Sequence, residues 1–457
     1  MNRDLERWGE QTDKAIANFQ ISGEPMPARL IQALALVKAA AATVNAASGV
    51  ISVHLAGAIT RAAEEIVNDE MRDQFPVDVF QTGSGTSTNM NVNEVIADRA
   101  TEILGQPVHP NDHVNASQSS NDVVPTALRI AAARAIIDDL IPVLVALGGE
   151  LRTLAQRHEI TVKAGRTHLM DAVPMTFGQE VGGWARAAEL SVQRLQGVRE
   201  RLCELPIGGT AVGTGLNAPR GFGRLVAAEI SHRTHIDFTE AHDHFEAQSA
   251  HDAVVETSGA LRSVALSLHK IAGDLRLLGS GPANGLGEIQ LAELQAGSSI
   301  MPGKVNPVIP EVVQQVAAQV VGNDAAIVFA STMSTLQLNT ALPVMARNLL
   351  SSIDLLSAVA APLRQCVRDI TVNVAQMASY AESTPALMTA LAPELGYDAA
   401  ADIVHRAEAA GVSVRQLLTT EQPGLDPELL ARLDPLALAR PDQHKLRPPV
   451  RSAAPEV

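Results

Sequence analysis

GSSIMPGKVNP, residues Gly297 to Pro307, packs two serines, a lysine and an asparagine into one loop punctuated by glycine and proline. Such a loop brings a hydroxyl close to cationic and amide donors. That combination can bind an anion and activate an oxygen beside it. A plain surface loop leading into a helix also uses Ser, Gly and Lys, but the order here is specific. A phosphate-cradling loop requires G-x-x-x-x-G-K-[ST]. In this chain five residues separate Gly297 from Gly303, and Val305 stands where the magnesium-binding hydroxyl belongs. The spacing therefore argues against nucleotide binding.

Outward from the loop, the dominant period is helical. Leu261, Val264, Leu268, Ile271, Leu275 and Leu278 recur at spacings of three and four, as do Leu140, Leu144, Leu147, Leu151 and Leu154. A helix from about Ala253 to Leu278 would run roughly 38 Å and needs neighbours along its whole length. Similar patterns cover Met175 to Leu202, Pro310 to Phe329 and Pro343 to Val374. The expectation is a mainly α protein: a mostly helical region over 1–116, a central bundle of about five long helices over 117–375, a small helical region over 376–440 and a disordered tail over 441–457. Strand-like alternation is scarce.

The chain has 457 residues, a net charge of −15 and only 3% aromatic residues. Its length exceeds what one core usually supports. Small side chains let helices approach closely, and the apolar stripes exceed what one chain can bury, so homo-oligomerisation is expected. The negative charge disfavours nucleic acid and anionic membranes as partners, and an anionic ligand then requires positive charge concentrated locally. Cys203 and Cys366 lie far apart and read as apolar filler in a reducing compartment. The charged start, MNRDLERWGEQTDK, has no apolar core of a signal peptide. No window is expected to approach the roughly 20 apolar residues of a membrane span. Together these point to the cytoplasm.

Four further blocks accompany the loop: GSGTSTNMNVNEVIA at Gly83 to Ala97, HPNDHVNASQSSNDVVPTA at His109 to Ala127, GRTHLMDAVPMTFGQE at Gly165 to Glu180, and IGGTAVGTGLN at Ile207 to Asn217. In this order the five blocks resemble the fumarase/aspartase superfamily. The resemblance implies a three-domain fold around a central long-helix bundle, a homotetramer with composite active sites, and lyase chemistry on a four-carbon dicarboxylate without metal or cofactor. Within the superfamily the chain is similar to class II fumarases, enzymes of the tricarboxylic acid cycle. SSND, GRTH and IGGTAVGTGLN look like fumarase, whereas TSTNMN and LQLN at Leu336 to Asn339 lean toward aspartase. Hydration of fumarate is the leading expectation. Aspartate ammonia-lyase and a lyase of a substituted succinate are the alternatives, and a non-catalytic member is disfavoured because Ser298, His168, Lys304 and Asn306 are all present.

Residue roles follow from the resemblance and from the chemistry it implies. Removing a proton beside a carboxylate creates an aci-carboxylate, so the site needs a base and donors aimed at the developing charge. Ser298 matches the family's base, and Lys304 with Asn306 the donors, with Ser299 and Val305 binding beside them. His168 matches the group acting through water on the opposite face, and Glu311 is expected to pair with its imidazole. The chain has thirteen histidines, and only the motif singles this one out. Thr167, Ser84, Gly85, Thr86, Ser119, Ser120 and Asn121 match carboxylate-binding positions. SQSSND taken alone reads equally well as a helix N-cap. His109, Pro110, Asn111 and Asp112 resemble an outer dicarboxylate site; with His113 they could also be read as metal ligands, but they are too contiguous for a closed shell.

Overall fold

The computed structural model describes residues 6–421 and 426–440; the expected tail over 441–457 lies outside them. The chain is mainly α, and its strands form only short two-stranded pairs. The predicted long helices occur as Ile141–Arg157, Phe177–Leu202, Asp252–Leu278, Val308–Ser331 and Leu342–Arg368. The two leucine seams read from the sequence are buried along their length.

The described residues divide into two compact units. Of the described residues, the first comprises those up to Leu144 with Leu190–Leu268 and Gln315–Ala360, and the second Val145–Glu189, His269–Gln314 and those from Ala361 onward. Each of the five long helices contributes residues to both. Polar bonds stitch these helices together inside the units. In the first, Ser258 Oγ donates to Asp324 at 2.6 Å and Asn323 Nδ2 donates to Ser352 Oγ at 3.0 Å. In the second, Trp184 Nε1 donates to Asp274 at 2.9 Å. A separate apolar cluster of Leu387, Met388, Leu391, Ile403, Leu417 and Leu433 holds the C-terminal helices of the second unit.

Two sequence expectations need correction. Three helices, Ala28–Ala47, Val308–Ser331 and Leu342–Arg368, are long and apolar enough by length and composition to cross a membrane. Mean hydropathy counts each alanine and valine without regard to what it packs against. In Ala28–Ala47, 78% of the apolar window is buried inside the protein, so its apolar character serves internal packing. Strand pairing was also underestimated: Val162–Thr167 and Met170–Thr176 form an antiparallel hairpin that carries part of the GRTH block.

Candidate active site

In the second unit, the hairpin presents Thr167 and His168 at its exposed tip. Thr167 pairs with Met170, leaving His168 and Leu169 as a two-residue turn with φ of 55° and 62°. Two successive positive φ values are the signature of the turn that matches strand twist, and Asn-Gly is its usual sequence. Histidine tolerates the left-handed region; leucine rarely adopts it, so local strain is concentrated beside the imidazole.

Buried charges anchor the hairpin along its first strand. The Lys163 ammonium, 2% exposed, lies 2.8 Å from both Glu180 and Glu288, and Arg166 lies 2.9 Å from the other oxygen of the fully buried Glu288. Arg166 also stacks over the Tyr380 ring at 5.3 Å, and Thr384 Oγ1 donates to the Ala172 carbonyl at 3.2 Å. Glu288→Ala would leave Lys163 buried with one carboxylate. It is expected to cost about 3–5 kcal/mol in denaturant unfolding, and an unchanged midpoint would remove these charges as the anchor.

The loop of Gly297 to Pro307 belongs to the same unit. A Cβ on Gly297 would lie 2.0 Å from the Lys304 carbonyl oxygen, so only glycine lets the two ends of the loop close. Asn306 Nδ2 ties that closure by donating to the Gly297 carbonyl at 2.7 Å. Within the loop, the half-buried Ser298 Oγ accepts from the backbone N–H groups of Ile300 at 3.2 Å and Met301 at 3.1 Å. Those donors favour negative charge on the oxygen. Ser299 and Lys304 are exposed, and Val305 is half-buried. Glu311, in the first turn of Val308–Ser331, lies 3.9 Å from Arg276. Within one chain it makes no hydrogen bond or ion pair with His168.

The first unit holds the other predicted binding residues. Gly85, with φ of 75°, begins the helix Thr86–Leu104, and a Cβ there would lie 2.8 Å from Val124 Cγ1. Ser84 Oγ and Thr86 Oγ1 are 2.8 Å apart on either side of it. Ser119 caps the helix Ser120–Arg134: its hydroxyl accepts from the Asn121 N–H at 3.2 Å, and its own N–H donates to Asp122 at 2.9 Å. The N-cap reading and the binding-turn reading thus describe one structure, since a capped N-terminus also offers free amides to an anion. Asp122 then accepts from the N–H groups of Gly208 at 3.0 Å and Thr210 at 2.9 Å, while Asn121 Nδ2 donates to the Ala211 carbonyl at 2.8 Å. These bonds fasten the IGGTAVGTGLN block to SSND. Burial pushes the Asp122 carboxyl up from its ordinary range, against the pull of the backbone amides. Asn89 Nδ2 donates to Ser120 Oγ at 3.1 Å, linking the GSGT helix to the same turn.

His109, Pro110, Asn111 and Asp112 open a π-helical turn, Pro110–Val114. His109 Nδ1 accepts the Asp112 N–H at 3.1 Å, and His113 Nδ1 accepts the His109 N–H at 2.9 Å. The side chains of His109 and Asp112 are exposed. Among the described residues, no three His, Cys, Asp or Glu side chains are arranged to hold a metal ion. Burial pushes the Cys203 and Cys366 thiols up to about 11.

Ser84 to Thr86, Ser119 to Asn121 and His109 to Asp112 therefore lie in the first unit, and Thr167, His168, Ser298 to Asn306 and Glu311 in the second. Sequence reasoning missed the buried charged groups bonded to the segments that carry them, namely Lys38, Asp122, Lys163 and Glu288. One signal was available: a lone lysine inside the alanine-rich run ALALVKAAAATV must be buried with partners or exposed on a seam.

A family profile described as a lyase matches residues 3–322, and the chain belongs to this lyase family. It is 50% identical over 443 residues to the class II fumarate hydratase of Corynebacterium glutamicum, covering 95% of this chain and 93% of that protein. The class II fumarate hydratase of Mycobacterium tuberculosis H37Rv is likewise 50% identical, over 444 residues and the same shares. Among solved structures, recombinant class II fumarase from Schistosoma mansoni matches with a TM-score of 0.92 at 35% identity, covering 95% of this chain and 96% of that one. A fumarate lyase:delta crystallin from Brucella melitensis, bound to cobalt, matches with a TM-score of 0.91 at 42% identity and the same coverage.

Proposed function

We propose that the protein catalyses the reversible hydration of fumarate to L-malate by anti addition through an aci-carboxylate intermediate. The observation that carries this reading is the 50% identity to fumarate hydratases across 95% of the chain. The Ser298 turn supplies a physical basis for the proton transfer at carbon.

Starting from L-malate, Ser298 takes the proton from the carbon beside one carboxylate; in hydration the same group returns it. The electron pair of that C–H bond moves into the carboxylate, where Lys304 and Asn306 donate to the added charge. The stored pair then returns to form the C=C bond of fumarate as the C–O bond breaks, and the departing hydroxyl takes a proton through water held by His168 and leaves as water. Glu311 is the proposed partner that orients the imidazole. Thr167, Ser84, Gly85, Thr86, Ser119, Ser120, Asn121, Ser299 and Val305 bind the carboxylates with mostly neutral donors, so that the ground state is not held as tightly as the transition state. His109 to Asp112 form the outer dicarboxylate site. The segments meet across a homotetramer, for which the exposed Val312, Val321 and Phe329 on one long helix supply apolar surface. The cytoplasm is the proposed compartment.

Fumarate absorbs in the ultraviolet and malate and aspartate do not, so one assay separates the alternatives. Absorbance is expected to rise with L-malate and to stay flat with L-aspartate. The reverse result would establish ammonia release and contradict the hydratase reading.

A further inference from the structure

Lys38 stands in the middle of the apolar helix Ala28–Ala47 with none of its surface exposed. Its Nζ donates to Asn115 Oδ1 at 2.8 Å and to Gln118 Oε1 at 3.0 Å. Those acceptors belong to the short segment that ends at Ser119. Two turns along the same helix face, Asn45 grips the same segment, donating to the Ala116 carbonyl at 2.9 Å and accepting from Ser117 Oγ at 2.8 Å. Ser117 needs such a clamp, because its φ of 65° lies in the left-handed region. Asn89 completes the connection: its Nδ2 reaches Asn115 Oδ1 at 3.3 Å and Ser120 Oγ at 3.1 Å. Asn93 Nδ2 also reaches Asn115 Oδ1 at 3.3 Å.

We propose that Lys38 is a positioning residue for the carboxylate-binding turn: its ammonium orients Asn115 and Gln118 and thereby holds Ser119, Ser120 and Asn121 in the geometry that receives the substrate. The inference rests on the reading of those three residues as substrate-binding.

Two physical arguments support it. Bonds from a charged donor are roughly twice as strong as those between neutral groups, so the ammonium fixes two amide side chains where a neutral group would leave them free to rotate. A cation buried behind the turn also acts through a weakly screening interior, and a chain of net charge −15 needs local positive potential to attract a dianion. Lys38 donates to neutral amides of the 115–118 segment, and the side chains of helix Thr86–Leu104 that share Asn115 Oδ1 with it, Asn89 and Asn93, are neutral amides as well. The charge acting on it is the Asp122 carboxylate, which opposes but does not cancel the effect of burial. The ammonium is thereby pushed down to about 7. Its protonated form, which serves the dianion better, gives way as pH rises through neutrality. Substrate affinity should fall over the same range.

The test is steady-state kinetics of the full-length Lys38→Met variant with L-malate and fumarate from pH 6 to 9, after its fold and assembly have been checked by circular dichroism and size exclusion. KM at neutral pH is expected to rise by about tenfold with kcat within about threefold, the pattern of lost binding rather than lost chemistry. The rise of the wild-type KM above pH 7 should flatten in the variant. A folded Lys38→Met protein with wild-type KM and wild-type pH profile would overturn the proposal. If that variant does not fold, Gln118→Leu, at a half-buried position, replaces it: a rise in KM of about fivefold at retained kcat supports the clamp, and a wild-type KM overturns it. Ser119→Ala and Ser120→Ala separate the two levels of argument. If they raise KM while the Lys38 and Gln118 variants do not, only the positioning role fails. If all four keep wild-type KM, the assignment of the turn as substrate-binding fails with it.

Discussion

Replacing Ser298 by alanine is expected to lower kcat by at least about 10³-fold, while fold and assembly are retained. The structure separates the two effects. Ser298 Oγ is held by the Ile300 and Met301 amides, both on exposed residues that water can serve when the hydroxyl is gone. The loop closure depends on other atoms, the Asn306 bond to Gly297 and the tight approach of Lys304 to a residue without Cβ. Loss of the hydroxyl should therefore cost no more than about 1 kcal/mol of stability. Rapid-quench or absorbance kinetics on the purified variant, beside a thermal melt, give both numbers. Near-normal turnover would remove Ser298 from proton abstraction.

The second large effect is expected from His168→Asn, a loss of about 10²- to 10⁴-fold in kcat. Asparagine is chosen because the backbone at 168 has a φ of 55°, a region that Asn and His populate more readily than other side chains. The hairpin turn should survive, so the loss reports the imidazole and not the fold. The charges that hold the hairpin add a second safeguard: Lys163 and Glu180 lie toward its open end, and Arg166, one pair from the turn, is tied to the buried Glu288 and not to the imidazole. An unchanged rate would assign the water-activating role to another group.

Much of the architecture was legible because it rests on periodicity. The seam from Leu261 to Leu278 demanded a long helix, and Asp252–Leu278 is one. The hairpin was not legible, because its turn is His-Leu, with no Asn-Gly or Asp-Gly to mark it. Only the pairing across 162–176 discloses that His168 sits at a strained tip. The length of the apolar runs was also understated, since no membrane-length window was expected. Val308–Ser331 and Leu342–Arg368 carry long apolar stretches, yet within the first unit they are bridged by the buried Asn323–Ser352 bond.

The site shows the same division. Residues that would touch substrate stand in motifs and could be named from sequence order. Residues that position them do not, because their meaning depends on partners distant along the chain. Lys38 meets Gln118 across 80 positions and Arg166 meets Glu288 across 122. Asp122 was within the SSND block, but its function of receiving the Gly208 and Thr210 amides exists only in three dimensions.

In this mechanism a base and a water-activating group act on opposite faces of one diacid. Hydration of fumarate in D₂O, followed by proton NMR of the malate, tests it most directly. The expected product is a single diastereomer carrying one deuterium beside the carboxylate, placed anti to the new hydroxyl. A mixture of both diastereomers, or a syn product, would contradict it.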